Sequence, residues 1–323
     1  VFADLDGDGN LDVVSSCEGG EQSMYVHWAP AKQADYLKSS AWATEVIVAT
    51  KQKQLWMFAE PAQIDAKAGI ELFVSSKGAN GSIGWLKLPA DRQQARNVSK
   101  WQFIKLRDAG WIMTLKALDM DGDGDSDLLF SDRKGTKRGV SWLENPGGEK
   151  VSSRGEWKEH ALGGREHEVM FLSVGDFNHD GVWDIVCTTR NSEILLFERN
   201  GNEWEIHSTP NPFGVAHGKA VAIGDIDKDG RNDLFHVTNT GKKRELPGAT
   251  WISHRPDKPW SAKWNATDVS GSVGVKFDLV ELQDLDGDED LDAITCEEID
   301  NLGVFWFENP LYDSSKLHRT TSD

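Results

Sequence analysis

Five stretches of this chain gather carboxylates at one spacing. DLDGDGNLD starts at Asp4, DMDGDGDSD at Asp119, DFNHDGVWD at Asp176, DIDKDGRND at Asp225 and DLDGDEDLD at Asp284. Positions 1, 3, 5 and 9 of each carry an oxygen-bearing side chain. These are Asp4, Asp6, Asp8 and Asp12; Asp119, Asp121, Asp123 and Asp127; Asp176, Asn178, Asp180 and Asp184; Asp225, Asp227, Asp229 and Asp233; and Asp284, Asp286, Asp288 and Asp292. Carboxylates at close range repel one another, so a cluster that recurs five times points to a cation that holds it together. The oxygens can converge if the chain turns sharply at position 6, where Gly permits a positive φ. Hard oxygen donors in a flexible loop suit Ca2+, which takes about six to eight oxygens. Zinc would want His or Cys, and Mg2+ would keep more of its waters.

The copies are graded. Asn178 is a neutral donor, so its loop should bind more weakly. Glu289 stands where Gly is wanted, and a side chain in the left-handed region costs roughly 1–2 kcal/mol. That loop is either strained or differently shaped. A sixth, decayed copy, QIDAKAGIE from Gln63 to Glu71, keeps Asp65 and Glu71 but has Lys67 at position 5, whose ammonium is expected to replace the ion. The expectation is therefore about four to five structural Ca2+ ions. An EF-hand is excluded, because it needs Glu at position 12 and a helix beyond. Here position 12 is Ser15, Phe130 or His236, inside a strand-like run.

The elements that position these loops repeat with them. Loop starts lie about fifty to sixty residues apart, a period typical of propellers, solenoids and arrays. Each loop is followed by a β-branched run: LDVVSS, IELFVSS, SDLLFSD, WDIVCTT, NDLFHVT and LDAITCE. An aromatic run comes next, as in VSWLENP and VFWFENP, then a third pattern such as WQFIKL, WKEHAL or WEIHST. A fourth run, such as IMTLKALD or VMFLSVGD, leads into the next loop. Four short strands per unit and six units predict an all-β fold, a β-propeller of four-stranded antiparallel blades. One domain over 1–323 is expected, with blades at about 1–50, 51–108, 109–163, 164–210, 211–270 and 271–323. The chain begins at Val1 with only a short lead-in strand, so it reads as a mature or trimmed product, and seven blades is the alternative. Trp28, Trp85, Trp142, Trp251 and Trp306 share one repeat position, and Trp42, Trp101, Trp157, Trp204 and Trp264 another. All ten are expected to pack blade against blade.

A net charge of −18 argues against a nucleic-acid reader, and no apolar run approaches membrane-spanning length. The 3 cysteines, Cys17, Cys187 and Cys296, form no zinc spacing, and their odd number excludes a full disulfide framework. Whether Cys17 and Cys296 pair stays open.

The loops, each followed by an apolar strand and spaced by one blade, resemble FG-GAP/VCBS-type repeats, as in integrin α-subunit propellers and many secreted microbial and fungal proteins. The resemblance covers nearly the whole chain. It implies a Ca2+-stabilised propeller that is secreted, extracellular or periplasmic, with its acidic loops on one face. The W-L-E-N-P and W-x-x-H signatures resemble secreted carbohydrate-related propellers, including some polysaccharide lyases and lectins. Asn80, Asn97 and Asn265 begin N-x-S/T sequons, which fits secretion.

A ligand is then expected at the channel mouth opposite the acidic loops. Trp56, Trp111, His167, Glu168, His217 and Lys276 lie in the loops entering the first strands. The loops joining second and third strands are basic: Arg133, Lys134, Lys137 and Arg138; Arg190; Lys242, Lys243 and Arg244. Three basic loops on one rim could steer an anion. Trp56, Trp111, Glu168, Arg133, Arg138 and Arg244 form the candidate ligand set, which suits an acidic sugar of an extracellular glycan, with a protein ligand as the other possibility. The alternative is a lyase acting on a uronate polymer. There His167 or His217 would abstract the proton beside a carboxylate, which Lys276 or Arg190 would neutralise.

Overall fold

The computed structural model describes residues 1–65, 67, 69–241, 243–253 and 264–311. The fold is an all-β six-blade β-propeller of antiparallel blades. Blade one is β1 (Phe2–Ala3), β2 (Asp12–Cys17), β3 (Ser23–Trp28) and β4 (Ala43–Val46). Blade two is β5 (Leu55–Ala62), β6 (Glu71–Lys77), β7 (Ser82–Lys87) and β8 (Gln102–Asp108). Blade three is β9 (Ile112–Leu118), β10 (Asp127–Asp132), β11 (Gly139–Glu144) and β12 (Lys158–Gly163). Blade four is β13 (Val169–Gly175), β14 (Asp184–Thr189), β15 (Glu193–Asn200) and β16 (Glu203–Pro210). Blade five is β17 (Gly218–Gly224), β18 (Asp233–Thr238), β19 (Ala249–Ser253) and β20 (Asn265–Asp268). In blade six the described residues supply β21 (Phe277–Gln283), β22 (Asp292–Glu297) and β23 (Gly303–Phe307). Contacts divide the chain into two compact units, Val1–Glu166 with blades one to three and His167–Asp323 with blades four to six.

Burial explains the sequence pattern within a blade. The second strands β10, β14 and β18 are buried along their whole length, so they read as continuous apolar runs rather than alternating ones. The fourth strands β4 and β16 are largely exposed and β12 is partly so, and they carry the charged residues of the third pattern, which blunts these edges against further pairing.

The core sits between blades. Leu5, Trp28 and Val14 of blade one pack with Trp56, Leu72 and Trp101 of blade two. Ile64, Phe73 and Trp85 of blade two pack with Leu128, Phe130 and Trp157 of blade three. In the second unit, Phe177 and Leu196 of blade four pack with Leu234 and Ile252 of blade five. The repeated tryptophans serve these seams: Trp28 meets Trp101 edge-on at 6.3 Å, and Phe73 meets Trp157 edge-on at 5.9 Å. Indole N–H groups of Trp42, Trp101 and Trp157 each donate to a carbonyl six residues earlier. The expectation for all ten is corrected at four positions: Trp306 is exposed, and Trp42, Trp142 and Trp204 each meet a ring of their own blade, Tyr36 at 5.6 Å, His160 at 4.1 Å and Trp183 at 5.6 Å. The three cysteines are free thiols. Among the described residues no helix is long and apolar enough to cross a membrane.

Candidate metal centres and the opposite rim

Each acidic loop joins the first strand of its blade to the second, and one hydrogen-bond scheme builds it. The position-1 carboxylate accepts from the backbone across the turn. Asp4 Oδ1 takes Gly7 N at 2.8 Å and Asp8 N at 3.1 Å, and Oδ2 takes Gly9 N at 3.0 Å. Asp119 repeats this with Gly122, Asp123 and Gly124 at 2.7, 3.1 and 3.0 Å. Position 6 is left-handed in all five loops, Glu289 included at φ +73°. Glu289 N still reaches Asp284 Oδ2 at 3.1 Å, so that loop keeps the common shape and carries the strain. Position 4 is left-handed too, with φ +61° at His179 and +56° at Lys228, a demand that the motif at position 6 does not reveal.

The position-9 carboxylate is buried and locks the loop to the third strand. Asp127 Oδ2 accepts from Met120 N at 2.8 Å, and Oδ1 from Asn145 N at 2.7 Å. Asp12, Asp184 and Asp292 do the same with Ala29, Arg199 and Asn309. Burial pushes Asp12 up to about 6 and Asp127 up to about 7, against the pull of these backbone donors.

Donor atoms converge within 4.8 Å in four of the five loops: Asp4, Asp6 and Asp8; Asp119, Asp121 and Asp127; Asp225, Asp227 and Asp229; Asp284, Asp286 and Asp292. Two further observations fit a cation. Asp225 Oδ1 is buried with no hydrogen-bond partner, and so are both carboxylate oxygens of Asp290, a residue that the D-x-D-x-D-G-x-x-D pattern does not include. Carboxylate and carbonyl oxygens without nitrogen or sulfur match the donor chemistry of Ca2+. Blade four differs, as Asn178 foreshadows. Its amide donates to Asp180 Oδ2 at 3.1 Å, occupying an oxygen of the loop, and to Glu198 Oε1 of β15 at 3.0 Å.

Among the described residues, protein cations pair with acids in three loops: in blade five Arg231 pairs with Asp229 of its own loop, and in blades one and two cations come from further along the chain. Arg96, from the segment between β7 and β8, places Nε 2.5 Å from Asp6 Oδ2 and Nη2 3.3 Å from Asp8 Oδ2. In the decayed loop, Lys67 lies 3.7 Å and Lys87 4.0 Å from Asp65 Oδ2, while Arg92 lies 3.4 Å from Glu71 Oε1. Lys67 therefore does stand on the acid as its sequence position suggests, with two helpers from the end of β7 and the segment after it.

At the other end of the blades, backbone hydrogen bonds stitch entering loops to second-strand ends. Gly78 N donates to Gly110 O at 3.0 Å and Arg133 N to Trp111 O at 2.8 Å; in the second unit, Asn239 N donates to His217 O at 2.9 Å and Thr240 N to Val275 O at 2.8 Å. Two buried acids clasp these turns. Asp132 accepts from Gly110 N, Trp111 N and the Arg107 guanidinium, and Glu297 accepts from Val275 N, Lys276 N, Ile299 N and Asp300 N. Burial pushes the Glu297 carboxyl up, but its four backbone donors outweigh that and hold it below the usual range.

Most of the expected ligand set is engaged within the protein. Trp56 is 1 % exposed, its N–H donates to Thr50 O and its ring meets Phe103 edge-on. It is a core residue, and the expectation of a stacking face there is corrected. Arg244 forms a two-pronged pair with Asp300 at 2.7 and 2.8 Å, and Arg138 donates to Arg165 O. Arg190 lies 3.9 Å from Glu168, and His167 3.5 Å from Glu193. Lys276 is paired with Glu298, and His217 Nδ1 sits 3.0 Å from Arg190 O. Arg190 and His217 are thus neighbours, whereas the charge of Lys276 is already met. Lys242 lies outside the described residues.

Trp111 is the exception. It is half-buried, and three cations lie over its ring: Lys77 at 4.4 Å, Arg133 at 4.6 Å and Lys134 at 5.0 Å from the centroid, Lys77 being paired with Glu18. Its Nε1 is buried with no protein acceptor. The ring offers no open face to a sugar; it supports a cationic cluster. The W-x-x-H histidines have another role: His160 lies 2.6 Å from Glu144, and His207 3.0 Å from Glu198, across the third and fourth strands.

Comparison with known proteins bears on the repeat. Two overlapping stretches, residues 119–187 and 176–236, match the model of the FG-GAP-like repeat. No curated protein matches the chain. Among solved structures, an arginine-to-alanine mutant of AofleA from Arthrobotrys oligospora is similar at 11 % identity and a TM-score of 0.48, with 91 % of this chain and 85 % of that chain covered.

Proposed function

From a six-blade β-propeller carrying FG-GAP-like repeats, we propose a secreted, Ca2+-stabilised binding module that takes an anionic extracellular ligand, of the acidic glycan class, at the Trp111 cluster. The carrying observation is the buried, acceptorless Nε1 of Trp111 beneath Arg133 and Lys134, with Lys77, itself paired with Glu18, over the same ring. An N–H donor left unpaired beside the Arg133 and Lys134 cations is stabilised by an anionic acceptor, and a uronate carboxylate has the charge and the lone pairs for it.

Ca2+ would be held by the loops of blades three, five and six, and more weakly by blade four. Its contribution is charge: it lets carboxylates share a turn that would otherwise repel itself. Asn80, Asn97 and Asn265 are all exposed, which suits glycosylation of an exported chain.

Binding is favoured over β-elimination because the cations meant to neutralise a substrate carboxylate, Lys276 and Arg190, already face Glu298 and Glu168. Calorimetry against a panel of uronate-rich and neutral glycans tests the reading. Uronates should bind in the wild type and weaken at least tenfold in Lys134→Gln and in Trp111→Ala, with no rise in double-bond absorbance. Equal binding of neutral glycans, or retention in both variants, overturns it.

A further inference from the structure

We propose that the first two blades carry their own cations in place of Ca2+, with Arg96 serving as the guanidinium stand-in for the ion at the loop of blade one. The inference rests on the Ca2+ reading of the remaining loops and deepens it by assigning which loops take metal.

The six loops form a graded series. In blades three and six the acidic oxygens converge, and no Lys or Arg pairs with them among the described residues. In blade five Arg231 pairs with Asp229 from inside the loop, but it reaches only that one carboxylate of the cluster, and Asp225 keeps a buried oxygen without a partner. In blade one the oxygens converge equally well, but Arg96 of the neighbouring blade lies against Asp6 and Asp8. In blade two the surviving acids, Asp65 and Glu71, each face protein cations from Lys67, Lys87 and Arg92. The chain thus runs from loops that need an external cation to a loop that has replaced it.

The geometry at blade one makes ion and arginine mutually exclusive. Asp6 is nearly sealed, with its side chain 7 % exposed, and its Oδ2 receives Nε of Arg96 at 2.5 Å. The same oxygen would have to turn to a metal. The guanidinium also lies 5.3 Å from the Trp28 ring centroid, so its position is supported by an aromatic face. Being tethered, Arg96 acts at high effective concentration and needs no dissolved ion. One charge against three carboxylates is a weaker counter-ion than Ca2+, yet Asp4 is already satisfied by Gly7, Asp8 and Gly9 amides, which lowers the demand. The consequence is a seam between blades one and two that stays closed when calcium is scarce.

Amide hydrogen exchange on the full chain, in Ca2+ and in EDTA, tests this. In the wild type, EDTA should speed exchange about tenfold at loops 119–127 and 284–292 and leave loops 4–12 and 63–71 within about twofold. Arg96→Gln should make loop 4–12 respond to EDTA and add one bound Ca2+ per chain by metal analysis. Arg96→Lys keeps a cation and should add none. If loop 4–12 of the wild type responds like the others, or Arg96→Gln gains no ion, the inference is overturned while the Ca2+ reading stands. If no loop responds and no Ca2+ binds, both fall.

Discussion

The side chain of Asn145 reaches across a blade boundary and donates from Nδ2 to the carbonyl of Ile64 at 3.0 Å. Its backbone N–H meanwhile donates to Asp127 at 2.7 Å, so one residue ties the end of β11 to its own acidic loop and to the loop of blade two. Asn309 repeats the relation with Ile226 and Asp292. The Asn of the W-L-E-N-P signature is therefore a hook between blades. Asn145 is 3 % exposed, so Asn145→Ala should leave the Ile64 carbonyl poorly paired and cost about 1–3 kcal/mol, read as a lower melting temperature. An unchanged melt would remove the hook from the account.

Arg107 and Asp132 form a pair at 2.9 Å with both side chains nearly sealed. Breaking it strands a buried charge, and Arg107→Met should cost about 3–5 kcal/mol in denaturant unfolding. Asp132 also holds the Trp111 turn, so Asp132→Asn should weaken anion binding more than Arg107→Met does. Equal effects on ligand would argue against the clasp.

Calcium removal should lower the melting temperature, since apo loops keep their repulsion. The loss should be larger at pH 8 than at pH 6. Asp127, in a loop assigned to Ca2+ and raised to about 7 chiefly by burial, takes up a proton in the folded state well above its unfolded value. The folded state then binds more protons than the unfolded one between about pH 4 and 7, so metal-free stability rises as pH falls through that window. A chelator effect that grows on acidification would contradict this.

His236 works in the other direction. It is fully buried, neither ring nitrogen has a partner, and burial drops its pKa to about 3. The unfolded chain protonates near 6.5 and the folded one does not, so stability present at neutral pH is lost as pH falls below about 6.5, by up to ~1.4 kcal/mol per pH unit. In Ca2+-saturated buffer His236→Leu should flatten that part of the profile. A slope identical to wild type would assign it to other groups.

Glu289 holds φ +73° at the position where the other four loops have Gly. Glu289→Gly should relieve the strain, with a net gain of up to about 1 kcal/mol after the looser unfolded chain is counted. A destabilised variant would show that the Glu side chain has a role beyond the turn.

Much of this was written in local sequence. The acidic loops, the strand that follows each, and the order of four strands per blade depend on near neighbours and on period, and these are visible along the chain. The departure of the Asn178 loop and the left-handed turn at Glu289 were legible for the same reason, because each sits inside its own motif. The rim was not. Trp56 and Trp111 look alike in sequence, each some eight residues before its loop, yet one is core and the other carries three cations. The basic loops read as an anion funnel, whereas Arg244 and Arg190 face Asp300 and Glu168.

Sequence alone determined the repeat, the strand order and the donor chemistry of the loops, because backbone turns and side-chain alternation act over a few residues. Only the tertiary structure decided which charges remain open. Arg96 meets Asp6 from 90 residues away, Asn145 meets Ile64 from 81, and Arg244 meets Asp300 from 56. Charge pairing acts through space, and the period of the chain carries no record of which side chains the blades will bring face to face.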